Sequence, residues 1–263
     1  MSNRYSLKDR VCAMLSGAGS AAAVLPATAL YCEGWLLRLA LDWYATHSAP
    51  GDSLQMAPGV RWFTEAQLRS AFPPLPRGRH GVAVGKTMAD AVIGHVRVAP
   101  TGKGYAAVEP GAKHFMVVEA KLWSRLSPGV RHDQEFDQAA RTLSCMAQTL
   151  QHDQVPPGHL RRLGFVILAP QEQIERRLFD ALIDRESIRH QVRRMVDAYR
   201  MKERDWYEEW FDPLVERAHI ELLSWEHVLT SIAKRDPEAG REIAAFYEQC
   251  VQHSRPSSKT TVQ

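Results

Sequence analysis

Glu119 and Lys121 stand two residues apart at the end of an apolar run, Phe115-Met116-Val117-Val118. Side chains alternate across a strand, so the two point to one face, while Ala120 turns away with Val118 and Met116. A carboxylate and an ammonium then share one spot. On these residues alone the pair is either a surface ion pair on a strand that has reached solvent or the start of a polar site. Asp90, just before Ala91-Val92-Ile93, supplies a second carboxylate. If its strand neighbours Phe115 to Ala120, Asp90 and Glu119 lie side by side. Adjacent carboxylates repel unless a cation sits between them. Hard oxygen donors with open water positions suit Mg²⁺, with Mn²⁺ as the alternative.

Glu33 is a third carboxylate, three residues after Leu30 and four before Leu37, which places it on the apolar stripe of its helix. A charge there is costly unless it is paired or binds a metal. Three readings stay open: a metal ligand, a partner for Lys121, or an edge residue that reaches solvent. Gln138-Ala139-Ala140-Arg141 opens the helix after the strand, with Gln138 and Arg141 on one side of it. It is either a solvated turn with Asp137 and Arg141 paired, or a contact to phosphate or water beside the carboxylates.

The elements that must position these residues can be read from periodicity. Residues 29–47 form a helix with Leu30, Leu37, Leu41 and Tyr44 as its stripe and Arg38–Asp42 paired on the other face. Phe63 to Phe72 reads as a short helix, followed by a Pro/Gly loop to Gly81. Strands are expected at Ala91–Ile93, Val96–Val98 and Tyr105–Val108, the last two joined by a hairpin loop, and at Phe115–Leu122. A helix over Gln134–Gln151 precedes a buried strand at Leu163–Leu168. A long charged helical stretch then runs from Glu172 to about Arg204. A last strand at Ile220–Trp225 and helices over Trp225–Ala233 and Pro237–Gln252 close the chain. This mixture implies an α/β fold around one mixed sheet. The expected organisation is a helix and linker over 1–28, one domain over 29–253 with a charged helical insertion at 171–218, and a disordered tail from 254 to 263.

A helix with Glu33, then Asp90, then Glu119-Ala120-Lys121, then Gln138-Ala139-Ala140-Arg141, resembles the PD-(D/E)xK nuclease superfamily. The branch it resembles carries a glutamine motif on the second core helix. Ala89 stands where the family name has proline, and the interval between Asp90 and Glu119 is long. The resemblance implies a restriction-endonuclease-like αβββαβ core over roughly residues 29–170 with a central mixed sheet flanked by helices. It also implies a Mg²⁺-dependent nuclease of the restriction and DNA-processing kind. Asp90, Glu119, the carbonyl of Ala120 and Glu33 would hold metal, Lys121 would assist the attacking water, and Gln138 would fix phosphate or water. DNA is the expected substrate, with RNA second and no organic cofactor. A homodimer or a targeting partner fits the same picture. The alternative is a catalytically inactive module on the same fold that binds nucleic acid or another protein.

Several cations are candidates for the nucleic-acid backbone. Arg141 and Lys86 lie near the motifs, and Arg189 and Arg193 belong to a stripe with Arg185. Such a stripe is more often a solvated face, and Asp184, Glu186 and Asp197 partly neutralise it. Trp206, Tyr207, Trp210 and Phe211, set among acids, read as packing residues. Gly81 to Thr87 misses the phosphate-loop spacing by one residue and is not read as one. Neither a zincin motif nor a nucleophile elbow is present.

With 263 residues, 45% apolar and 24% charged, the chain excludes collagen-like, coiled-coil and wholly disordered classes. A formal charge of +3 selects no partner. Four dispersed cysteines suit a reducing, cytoplasmic setting. Arg4, Lys8 and Arg10 before an apolar run resemble a leader, but Ser16 to Ser20 interrupts it and Asp9 lies in the basic part. A helix and linker is the expected structure there, with no membrane association.

Overall fold

The computed structural model describes residues 7–18, 20, 24–73, 87–98, 104–123, 136–199 and 204–255. Lys86, most of the expected Pro/Gly loop, the hairpin tip at 99–103, Arg200, Lys202 and the tail after Arg255 lie outside them.

A five-stranded sheet forms the centre, in the order β1 (Arg61–Leu68), β2 (Thr87–Gly94), β5 (His114–Ala120), β6 (Arg162–Ala169), β7 (His219–Ser224). The first three strands pair antiparallel, and β5, β6 and β7 pair parallel. The sheet is therefore mixed. A separate hairpin of β3 (Val96–Val98) and β4 (Ala106–Val108) lies within the long interval between Asp90 and Glu119. That hairpin is thus an insertion and does not disturb the pairing of β2 with β5.

The central strands are buried on both sides, as their near-continuous apolar sequences require. Val92, Phe115, Val117, Phe165 and Ile167 pack with α3 (Gln138–His152) and, farther out, α5 (Arg185–Tyr199). Ala91, Ile93, Met116, Val118, Val166 and Leu168 pack with α2 (Glu33–His47), α8 (Trp225–Arg235) and α9 (Pro237–Ser254). Helices thus cover both faces. The remaining α-helical pieces among the described residues are α1 (Leu7–Ser16), α4 (Gln171–Glu175), α6 (Arg204–Trp206) and α7 (Asp212–Arg217).

Several expectations need correction. Phe63 to Phe72 is not a helix: residues 61–68 are edge strand β1, which pairs with β2 from Arg61–Gly94 to Leu68–Thr87. Partner pairing, invisible in the local sequence, overrides the pattern. The stretch 172–204 is not one long helix but α4, a single 3₁₀ turn and α5. Arg38 does not pair with Asp42. Its guanidinium crosses to β1, where it donates to Thr64 Oγ1 at 3.0 Å and Glu65 Oε1 at 2.5 Å. The expected aromatic packing near residue 206 is present: Trp206, Tyr207 and Phe211 are buried. Tyr207–Phe211 forms a turn of π-helix. Among the described residues no helix is long and apolar enough to cross a membrane.

Candidate active site

The β2–β5 ladder ends at Ala91–Val118, and the next positions along it are Asp90 and Glu119. On its other side β5 continues to pair with β6, so Lys121 N donates to Leu168 O at 2.7 Å. The Ala120 N–H faces the strand that has left. A buried amide needs an acceptor, and the Asp90 carboxylate supplies it, Oδ2 accepting from Ala120 N at 2.8 Å. Asp90 thus replaces a missing rung. The carbonyl of Ala120 shares that strand edge, because a residue's N–H and C=O point the same way in a strand.

Glu119 is 2% exposed and Lys121 8%. The surface-pair reading of Glu119-Ala120-Lys121 therefore does not hold. Lys121 Nζ donates to Glu119 Oε1 at 2.6 Å. Gln138 Nε2 donates to the same oxygen. Gln138 is the first residue of α3, whose N-cap Asp137 accepts from Ala140 N at 2.8 Å. Asp137 is also gripped by Gln191 of α5, which donates to Oδ2 at 2.7 Å and accepts from Asp137 N at 2.9 Å. The expected Asp137–Arg141 pairing gives way to this cap. Five residues spread from position 33 to position 138 thus gather at one place, Glu33 joining through its charge.

Burial raises the Glu119 carboxyl to about 7, with the Asp90 charge adding and Lys121 opposing. Burial also raises Asp90, while Lys121 and the Ala120 amide pull it down. The two carboxyls hydrogen-bond each other, with Glu119 the donor when protonated. Glu33, the first residue of α2, is raised by burial, lowered by Lys121 and raised by Asp90. It feels both charges.

The donors fit a hard divalent cation in one respect and set a limit in another. Asp90, partly buried, and Glu119, buried, set two carboxylates beside the Ala120 carbonyl, donors of the kind that suit Mg²⁺, an ion that keeps several waters. Among the described residues no group of three or more His, Cys, Asp or Glu side chains is arranged to hold a metal ion. Glu33 is therefore a neighbour of the carboxylate pair and not a third member of a formed cluster.

Two contacts that sequence reasoning missed hold Lys121 in place. Trp225 Nε1 donates to Lys121 O at 2.9 Å, and Gln173 Nε2 donates to Leu122 O at 2.7 Å. Both come from beyond β6, and no local spacing ties them to position 121. Arg38 is a further missed neighbour. It is held by Glu65, which sits opposite Asp90 between the Thr64–Ala91 and Ala66–Ala89 pairs and has φ +53°. A non-glycine residue in the left-handed region is strained. That strain lies one strand away from Asp90.

The expected nucleic-acid cations fare differently. Arg141 lies one turn beyond Gln138, partly buried, and its Nε has no hydrogen-bond partner among the described residues. Arg189 is consumed by Glu186, Asp212 and Glu216 at 2.7–2.8 Å. Arg193 lies 4.9 Å over the ring of Tyr207. These two residues serve packing between α5 and the following segment and do not form part of the carboxylate site. Lys86 lies outside the described residues.

Comparisons with known protein families, curated proteins and solved structures gave no match to this chain.

Proposed function

We propose that the chain is a metal-dependent nuclease of the PD-(D/E)xK type that hydrolyses phosphodiester bonds in DNA. The observation that carries this reading is the convergence of Asp90, Glu119, Lys121 and Gln138 on one buried spot at the end of β5. The order α2, β1, β2, β5, α3, β6 is compatible with a restriction-endonuclease-like αβββαβ core, with β3–β4 as an insertion.

Asp90, Glu119 and the Ala120 carbonyl would hold Mg²⁺, which when bound polarises a phosphate oxygen and lowers the pKa of a bound water. Ala120 N–H fixes the orientation of Asp90 in advance through Oδ2. Lys121 holds a cation beside Glu119, where it would orient the attacking water and offset charge that develops on the phosphate. Gln138 keeps Glu119 in one rotamer through their hydrogen bond. Glu33 lies close enough to sense Lys121 and would accept from a water on that side.

The test uses purified full-length chain with linear, circular and single-stranded DNA and with RNA, each in Mg²⁺, Mn²⁺ and EDTA. Cleavage of DNA is expected with either metal and not in EDTA, and Asp90→Ala and Lys121→Ala should abolish it. If no substrate is cut, and calorimetry finds no Mn²⁺ binding that depends on Asp90 and Glu119, the nuclease reading fails. The non-catalytic module then takes its place.

A further inference from the structure

The parallel strands have a second polar end. Asp90 and Glu119 lie where β5 finishes. Where β6 and β7 begin, a cavity of about 540 Å³ opens between the strands and the segment around Ser53. Its wall carries Arg161, Arg162, Arg217, His219 and a single carboxylate, Glu221.

The central cation here is held differently from Arg189, which three carboxylates meet. Arg162 is half-buried, and its guanidinium donates to neutral acceptors: the carbonyls of Asp52 and Ser53, the latter at 2.9 Å, and Gln55 Oε1 at 2.7 Å. Glu221 is engaged by Ser53 Oγ at 2.9 Å and His219 Nε2 at 3.1 Å. Arg161 and Arg217 are exposed and have no ion-pair partner among the described residues. The wall therefore carries more positive charge than its own acid can balance, and it is concave. Gly164 lies in the floor, where an added Cβ would come within 3.2 Å of His219 O and 3.3 Å of Met116 Cγ. Neither backbone nor packed thioether yields easily, so the floor is shaped by the lack of a side chain.

We propose that this cavity binds a small phosphate monoester. Its volume lies within the range of ordinary small-ligand sites. Guanidinium forks match phosphate oxygens two at a time. Arg161 and Arg217 are the free forks, and Arg162 is a fixed positive background. Ser53 spends its one hydroxyl hydrogen on Glu221, while His219, whose Nε2 meets Glu221, keeps Nδ1 as a group that can face a phosphate oxygen. The site lies at the opposite end of the parallel strands from the carboxylate pair and does not depend on the nuclease reading.

Titration calorimetry on the full chain tests this with adenosine 5′-monophosphate, inorganic phosphate and adenosine as probes. The monophosphate should bind with Kd at or below about 1 mM, phosphate more weakly, and adenosine not at all. Arg161→Ala/Arg217→Ala should weaken the monophosphate at least about tenfold with little change in Tm, since both side chains are exposed. Asp90→Ala should leave the affinity unchanged. Absence of monophosphate binding, or binding that survives the double substitution, overturns the proposal. So does capture of a 5′-phosphorylated oligonucleotide without binding of the small monoester, since the ligand would then be a nucleic-acid end.

Discussion

Glu119 and Arg189 are both ringed by charges, and the two rings differ in kind. Arg189 meets three carboxylates, on Glu186, Asp212 and Glu216, at the protein surface. The one cation there is met by more than enough opposite charge, and the carboxylates lie near water. Glu119 is buried beside a like charge, Asp90, with Lys121 as the one ammonium bonded to it. The first arrangement is complete as it stands. The second stays costly until a proton or a cation joins it. Crowded charge therefore marks a site only where burial leaves it unresolved, and Arg189, a candidate for the nucleic-acid backbone from sequence, has its charge met within the fold.

The sharpest way to break this contrast is to remove the unresolved charge. Asp90→Ala should reduce metal-dependent cleavage by about 10³-fold or more, a loss typical of removing transition-state stabilisation, whereas Arg189→Ala should leave kcat within about twofold. Single-turnover rates on one DNA substrate compare the two directly, and equal losses would erase the distinction.

A second test uses pH. Glu119 is raised from 4.5 to about 7 in the fold. Between those values the folded state binds more protons than the unfolded chain, so stability falls as pH rises. The contribution is fully present below about 4.5 and lost as pH passes through 7. Its size is on the order of 3 kcal/mol. Urea midpoints in EDTA should therefore drop across this window. Asp90→Asn should flatten the drop, because the amide leaves Glu119 without its like charge and can still accept from Ala120 N–H. An unchanged slope in that variant would refute the coupling.

Trp225→Phe should cost about 2 kcal/mol, because it leaves Lys121 O buried without its donor. It should also lower kcat more than it raises KM, since Lys121 would lose its fixed position. Phenylalanine fills most of the space, so a far larger loss of stability would point to packing instead. The smallest effect is expected at Arg189 itself. Arg189→Ala should change stability by at most about 1 kcal/mol, since exposed ion pairs contribute little. The salt slope of DNA binding should also be unchanged, because a cation already neutralised releases no counterions. A reduced slope would return Arg189 to the nucleic-acid interface.

The carboxylates, the lysine and the glutamine were legible because each sits at a recognisable point of a local pattern: a strand end, a strand start, a helix start. Their meeting place follows from one register, β2 against β5. Strand β1 was not legible, since an edge strand with a polar outer half takes its conformation from the partner it pairs with. The fate of Arg189 was hidden for a similar reason. Two of its three partners lie 23 and 27 residues away, across a turn that the basic stripe does not announce. Trp225 contacts position 121 across 104 residues, and no spacing rule reaches that far.

That long contact bears on how the chain can be shortened. A fragment ending before β7 would contain Glu33, Asp90, Glu119, Lys121 and Gln138 in full. It would also expose an edge of β6 and strip the indole from the lysine's carbonyl. Such a piece would spell the whole site and still misplace its ammonium. The smallest faithful unit has to run through α8, so the last third of the sequence, which supplies none of the candidate catalytic side chains, sets the boundary for any working truncation.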